Sequence, residues 1–169
     1  DAYPADITMA GGIPKYVPLM PVNGTWQLDI DTLRKACSSK TKIILLNTPS
    51  NPCGKVFSEP ELDAIIKIAE DYNAVIVSDE VYEHIAFLPH TSVASRPGGF
   101  ERTLTISSVG KTFSVTGWKI GWLVGPEPLI QAVRMAHQWI PFAVATPLQL
   151  ATAECLKVAE TNTYYNELQ

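Results

Sequence analysis

Four short, almost uninterrupted apolar runs constrain the fold of this chain more than any other feature of its sequence. Runs in which hydrophobic residues do not alternate with polar ones are typical of strands buried on both faces of a parallel sheet. Segments with helical signals separate several of them. We therefore predict an α/β fold with three layers, in which helices flank a mainly parallel sheet. The predicted strands are residues 42–47, 74–79, 102–106 and 119–124.

The predicted helices begin at recognisable signals. Acidic residues in the first turn favour a short helix over residues 29–36. Ser58 and Glu61 form a capping-box pattern, and the apolar residues that follow recur with helical periodicity. Two further helices are expected over about 126–139 and after Thr146-Pro147, where proline takes the first helical position. A short strand is expected over residues 13–19.

The composition limits the classes of protein to which the chain can belong. Its 169 residues are 46% hydrophobic and 18% charged, which suits one globular domain core. A net charge of -4 without a basic cluster makes nucleic acid an unexpected partner. No apolar run approaches the length of a membrane span, so no membrane partner is expected. The histidines show no ligand spacing, so no metal site is expected.

The cysteines and the two ends give expectations about compartment and length. Cys37, Cys53 and Cys155 are few, odd in number and scattered, which favours reduced thiols in an intracellular protein. We expect the cytoplasm, with the mitochondrion as the alternative. The chain begins with Asp1 rather than methionine and ends inside a predicted helix. We therefore expect it to be part of a longer protein.

Polar clusters follow three of the predicted strands. Asn51, the pair Asp79 and Tyr82, and the pair Ser108 and Lys111 each come just after a strand. Ligands of α/β folds bind beyond the carboxyl ends of the strands. The three clusters are therefore predicted to converge on one site.

Lys111 is the residue with the most specific chemistry. It lies in a turn of small residues directly after a strand, where its amine can reach a bound aldehyde. Lysine amines form Schiff bases with carbonyl substrates and with pyridoxal phosphate. The alternative for Lys111 is a solvated surface lysine, and the alternative for Asp79 is a cap of a turn or helix.

Two other motifs that match this segment are incomplete. Gly110-Lys111-Thr112 resembles the end of a P-loop, but the glycine required five residues earlier is Thr105. The pair Ser108 and Lys111 also has the spacing of the serine β-lactamase motif, whose Ser-Asp-Asn and Lys-Thr-Gly partners are absent from the sequence.

Four motifs of this sequence occur in the order that they have in the fold-type I, class I/II aminotransferases, which depend on pyridoxal phosphate. The sequence therefore resembles that family. The longer runs Met9-Ala10-Gly11-Gly12, residues 51–57 and residues 110–114 look like one branch of that family. This branch is the kynurenine aminotransferases, also described as glutamine transaminase K and cysteine-S-conjugate β-lyase. The motifs are Asn51-Pro52-x-Gly54, Asp79-x-x-Tyr82, Ser108-x-x-Lys111 and Gly117-x-Lys119-x-Gly121.

The resemblance implies a role for each candidate residue. Lys111 would be the Schiff-base lysine and catalytic base, and Asp79 would face the pyridine nitrogen and keep it protonated. Tyr82 and Asn51 would bind the 3-oxygen of the ring. Ser108 and Lys119 would bind the phosphate, although the family often has arginine at the position of Lys119, and lysine binds phosphate as a point charge.

The implied function is transfer of an amino group from an amino acid to a 2-oxo acid, with pyridoxal phosphate as cofactor. Kynurenine, glutamine, and aromatic or sulfur-containing amino acids are the expected donors, and the full-length protein is expected to be a homodimer. Residues 1–169 would be part of the large cofactor-binding domain, with a glycine-rich phosphate turn and a ring-stacking aromatic before them and a carboxylate-binding arginine after them. The alternatives are a carbon–sulfur β-lyase of the same fold and a regulatory domain that senses pyridoxal phosphate.

Overall fold

The main sheet of the protein has four strands and is mainly parallel. A computed structural model describes residues 2–168. In it, β3, β4, β5 and β6 are neighbours in chain order; β3 pairs with β4 and β4 with β5 in parallel, while β6 runs antiparallel to β5. This arrangement confirms the predicted α/β fold with a mainly parallel sheet. The strands are β1 (Leu19–Val22), β2 (Thr25–Leu28), β3 (Ile43–Asn47), β4 (Val75–Asp79), β5 (Thr103–Ser108) and β6 (Gly121–Val124).

Four helices, which begin at Ile30, Glu59, Glu127 and Thr146, start close to where their sequence signals predict, whereas the helices that begin at Ala2 and Val109 were not predicted. None of them, within residues 2–168, is both long and apolar enough to cross a membrane. Three short 3₁₀ segments, Val93–Ser95, Phe100–Arg102 and Thr116–Trp118, lie in the connections. The helices are α1 (Ala2–Met9), α2 (Ile30–Ala36), α3 (Glu59–Asp71), α4 (Val109–Thr112), α5 (Glu127–His137), α6 (Thr146–Thr161) and α7 (Tyr164–Leu168).

Helix α3 supplies much of the core that supports the sheet. Its side chains Leu62, Ile65 and Ile68 are 0–2% exposed and belong to one apolar cluster with Ile44 of β3 and Ile76 of β4. Full burial of one such side chain contributes about 1.5–3 kcal/mol. The helix therefore covers one face of β3 and β4 and fixes the strands whose ends carry the candidate site.

The predicted strand over residues 13–19 is wrong. Residues 13–18 have no regular structure, and the hairpin of β1 and β2 follows instead. Pro14 and Pro18 lack the N–H that a strand ladder needs. Asn23 and Gly24, with φ of 50° and 78°, form the two-residue turn. An Asn-Gly pair is the strongest short-range signal for such a hairpin.

The start of β6 also differs from its prediction. The strand begins at Gly121 rather than at residue 119. Lys119 has φ of 57°, in the left-handed region, which interrupts an extended strand. The chain therefore turns at Lys119 before it pairs with β5.

Candidate active site

The carboxyl ends of three neighbouring strands bring the predicted site segments together. Asn47, the last residue of β3, pairs in register with Asp79, the last residue of β4, and Asp79 pairs with Ile106 of β5. Asn47 Nδ2 and the Thr48 N–H both donate to the carbonyl oxygen of Asp79, at 3.0 and 2.9 Å. These bonds fix the start of the loop after β3 against the end of β4.

Asn51 and Tyr82 are in direct contact. Asn51 Nδ2 donates to the Tyr82 hydroxyl oxygen at 2.9 Å. The Asn51 N–H donates to Asn47 Oδ1 at 2.6 Å. Asn51 is therefore bonded both to the end of β3 and to Tyr82. A shallow cavity of about 300 Å³ lies beside this pair. It is lined by Ser50, Asn51, Pro52, Gly54 and Tyr82.

The Lys111 amine lies close to the same tyrosine. Its Nζ atom is 5.6 Å from the centre of the Tyr82 ring, within the range of a cation–π contact. Within residues 2–168, no carboxylate lies within 4.0 Å of this amine. Among the described residues, the Lys111 amine is therefore not held in an ion pair.

A close approach of backbone segments holds the Lys111 turn in place. Val109 and Thr112, on either side of Lys111 in α4, are 0 and 1% exposed. A Cβ atom on Gly110 would lie 3.1 Å from the Cα atom of Thr116, and the Thr116 hydroxyl donates to the Gly110 carbonyl at 3.0 Å. Glycine at 110 is therefore what allows this turn to be tight.

Asp79 ends β4 with both carboxylate oxygens bound. Oδ1 accepts from the Val81 N–H at 3.2 Å, and Oδ2 accepts from the Tyr3 hydroxyl at 2.5 Å. Burial, followed by the hydrogen bond to Asp79 and the charge of Asp79, raises the pKa of Tyr3 well above its ordinary value. Tyr3 therefore stays protonated and remains a donor.

Ser108 and Lys119 lie on the two segments that flank Lys111. Ser108 is the last residue of β5 and pairs with Gly121 at the start of β6. Lys119 is exposed at the left-handed turn just before β6. Neither side chain is hydrogen-bonded or ion-paired to another residue in the described range 2–168, so their role in binding phosphate stays a prediction.

Sequence reasoning missed the roles of Tyr3 and Glu80. Nothing local in the sequence links Tyr3 to Asp79, which is 76 positions away. Glu80 is only 1% exposed. Adjacent residues at the end of a strand point to opposite faces, so the Asp79-Glu80 pair predicts that one of the two points inward.

The Glu80 carboxylate is fully surrounded by hydrogen-bonding groups. Oε1 accepts from the Ser78 hydroxyl at 2.7 Å and from the Ser92 hydroxyl and Val93 N–H, both at 3.2 Å. His90 Nε2 lies 3.0 Å from Oε2. Both oxygens of the Glu80 carboxylate thus have partners, whereas the buried Nδ1 atom of His90 has none among residues 2–168. Glu80 therefore ties the turn that carries Asp79 and Tyr82 to the segment that returns at residues 90–93.

Comparisons with known proteins identify the family of the chain. The family model for aminotransferase class I and II matches residues 1–168. The chain belongs to this family.

The relatives to which the chain is similar include transaminases that are named for kynurenine. It is 42% identical to the kynurenine–oxoglutarate transaminase of Dictyostelium discoideum, over 99% of this chain and 42% of that protein. It is 44% identical to the human kynurenine–oxoglutarate transaminase 1, over 91% of this chain and 39% of that protein. The chain thus spans about two fifths of the length of these relatives. They do not favour the β-lyase or regulatory alternatives.

Solved structures show the same fold. The N-succinyldiaminopimelate aminotransferase of Mycobacterium tuberculosis has a TM-score of 0.91 and 41% identity, over 96% of this chain and 42% of that one. A protein of Escherichia coli with a methionine aminotransferase function has a TM-score of 0.92 and 36% identity, over 99% of this chain and 44% of that one.

Proposed function

We propose that the chain is the central part of the large domain of a pyridoxal-phosphate-dependent aminotransferase. The observation that carries this proposal is the convergence of Lys111, Asp79 and the Asn51–Tyr82 pair at the ends of three adjacent strands, in a chain that belongs to the aminotransferase family. The longer protein of which this domain would be part is called the full-length protein below.

The residues present fit this cofactor chemically. Lys111 offers an amine with no ion pair among residues 2–168, which suits an aldehyde. Asp79 offers a carboxylate for a protonated ring nitrogen, and Asn51 and Tyr82 offer polar groups for the ring oxygen. Ser108 and Lys119 offer a hydroxyl and a cation for the phosphate. In the proposed function, Lys111 and Asp79 are the catalytic residues, and they bind the cofactor together with the other four.

The mechanism assigns a task to each of these side chains. Bound pyridoxal phosphate supplies an aldehyde that exchanges amines and a ring that withdraws electrons. Lys111 would hold this aldehyde through its Nζ atom and would act as the general base for the proton on the substrate Cα. Asp79 would hold the proton at the ring nitrogen. Tyr82 and Asn51 would bind the ring through its oxygen and so keep the cofactor beside Lys111.

The relatives support a choice of substrate class. Two of them are named for kynurenine, and one structural neighbour has a methionine aminotransferase function. We infer that the full-length protein takes its amino group from kynurenine, glutamine, or aromatic or sulfur-containing amino acids, and passes it to a 2-oxo acid. We infer also that it is a homodimer, which light scattering of the purified protein will test.

The experiment that tests the proposal labels the lysine and compares donors. The full-length protein, incubated with pyridoxal phosphate and reduced with borohydride, should carry a pyridoxyl group on Lys111 by peptide mass spectrometry. Lys111→Ala should carry none and lose several orders of magnitude of turnover, because the covalent anchor and the base are lost together. Lys67→Ala, on the exposed face of α3, is the control and should be labelled normally.

Two results would contradict the proposal. Label on another lysine, or normal turnover by Lys111→Ala, would remove Lys111 from its role. A panel of amino donors with one 2-oxo acid tests the substrate class, and a clear preference for aspartate would refute it.

A further inference from the structure

Helix α1 contacts the candidate site through a single polar side chain. The helix has no buried residue of its own. Tyr3, in its first turn, is nevertheless partly buried, and its hydroxyl donates to Asp79 Oδ2 at 2.5 Å. Hydrogen bonds to a charged group are shorter and stronger than those between neutral groups. The contact joins a peripheral helix to the carboxylate at the end of the central strand β4.

The two oxygens of Asp79 are held from different parts of the chain. The Val81 N–H binds Oδ1 at 3.2 Å and belongs to the same turn as Asp79, so it moves with that residue. The Tyr3 hydroxyl binds Oδ2 and comes from α1, outside that turn. One donor on each oxygen fixes the rotation of the carboxylate about its Cβ–Cγ bond, which the Val81 bond alone would leave looser.

The surroundings of Tyr3 keep its phenol in the neutral form that can donate to Asp79. Its pKa lies well above the ordinary value because the phenol is partly buried and its ionisation would place a second negative charge beside Asp79. The Tyr3 phenol therefore donates to Asp79 as a neutral group and adds no charge to the site. Its effect on the reaction has to pass through the position of the Asp79 carboxylate.

We propose that Tyr3 is a positioning residue that orients Asp79 toward the ring nitrogen of the cofactor. This inference rests on the proposed function, since it requires Asp79 to face a pyridine nitrogen. A carboxylate held at both oxygens keeps a lone pair in one direction, and preorganised groups of this kind cost no reorganisation when charge develops. Tyr3 thereby links the position of α1 to the strength of the contact between Asp79 and the ring nitrogen.

The test compares two cofactors that differ only at the ring nitrogen. The cofactor-free full-length protein is titrated with pyridoxal phosphate and with its analogue in which carbon replaces that nitrogen. The variants are Tyr3→Phe, which keeps the ring and loses the hydroxyl, and the control Tyr16→Phe, on a tyrosine that is 72% exposed. Thermal unfolding of each variant shows that the fold is retained.

We expect Tyr3→Phe to weaken cofactor binding only when the cofactor ring contains its nitrogen. Tyr3→Phe should weaken binding of pyridoxal phosphate about tenfold, which is the size of a hydrogen bond to a charged group, and leave binding of the carbon analogue unchanged. It should also lower kcat by about tenfold with little change in KM, because Asp79 acts on the chemical step. Tyr16→Phe should match the wild type in its binding of both cofactors and in its kcat and KM.

Other results would overturn the inference. An equal loss with both cofactors would show that Tyr3 only supports the local structure, and no loss with either would show that the bond to Asp79 is without effect. Failure of the wild type to bind pyridoxal phosphate or to be labelled at Lys111 would refute the proposed function itself, and the inference with it.

Discussion

At the scale of single residues, the Asn51–Tyr82 hydrogen bond links two loops that approach the site from different strands. Asn51 follows β3 and is exposed, while Tyr82 follows β4 and is partly buried. Neither loop fixes the position of the other residue on its own. In the proposed function, their bond therefore sets where both polar groups meet the ring oxygen of the cofactor.

The bond predicts energetic coupling between the two residues in cofactor binding. In the full-length protein, Asn51→Ala and Tyr82→Phe should each weaken binding of pyridoxal phosphate, and the double variant should lose less than the sum. The expected coupling is about 0.5–1.5 kcal/mol, the usual net worth of one hydrogen bond. Equilibrium titration of the four proteins measures it. Asn51→Ala combined with Tyr72→Phe, a tyrosine that bonds the Arg34 carbonyl instead, is the control and should be additive.

At the scale of elements, the start of α3 joins the loop that carries Asn51 to the core. Glu61 accepts from the Ser58 N–H at 2.8 Å, closing the capping box, and lies 2.9 Å from Lys55 Nζ. Burial alone would raise the pKa of Glu61. The bonds from Lys55 and Ser58 outweigh that effect and hold the pKa below its usual value.

This lowered pKa predicts how stability changes with pH. The stabilisation is present above the pKa of the unfolded chain, about 4.3, and is lost as pH falls through the lower folded value. Glu61→Gln should reduce the free energy of unfolding of the full-length protein by about 1 kcal/mol at pH 7. The difference from wild type should shrink below about pH 4.

Urea unfolding at several pH values checks this prediction. Glu70→Gln, near the other end of the same helix and paired only on the surface with Lys67, should change stability little at any pH. A Glu61→Gln difference that stays constant between pH 3 and pH 7 would contradict the assignment.

The elements also show what the sequence could and could not predict. Helix α3 and the strands β3, β4 and β5 follow from apolar runs and a cap, which are local signals. The hairpin of β1 and β2 also has a local signal, the Asn23-Gly24 pair. The predicted strand over residues 13–19 does not take this signal into account. The contact of Tyr3 with Asp79 and the bonds from the segment 90–93 to Glu80 depend on tertiary packing, and no periodicity in the sequence encodes them.

At the scale of the whole molecule, apolar surface is left exposed beyond the core. Trp139, Ile140 and Phe142, in the connection between α5 and α6, are 82–84% exposed. Exposed apolar clusters mark interaction sites or aggregation hazards. This exposure agrees with the proposal that the chain is part of a longer protein, in which other segments would cover such side chains.

The last prediction concerns the chain on its own. Small-molecule sites usually enclose 70–90% of the ligand, whereas the cavity beside Asn51 and Tyr82 is shallow and open and, among residues 2–168, is lined by five residues. The 169-residue chain, expressed alone, should therefore neither transaminate nor bind pyridoxal phosphate tightly, with an affinity at least about a hundredfold below that of the full-length protein. Equilibrium dialysis of both proteins measures this difference, with Lys111→Ala of each as the control for unspecific lysine adducts. Turnover by the isolated chain, or equal affinities, would show that residues 1–169 already contain a complete site.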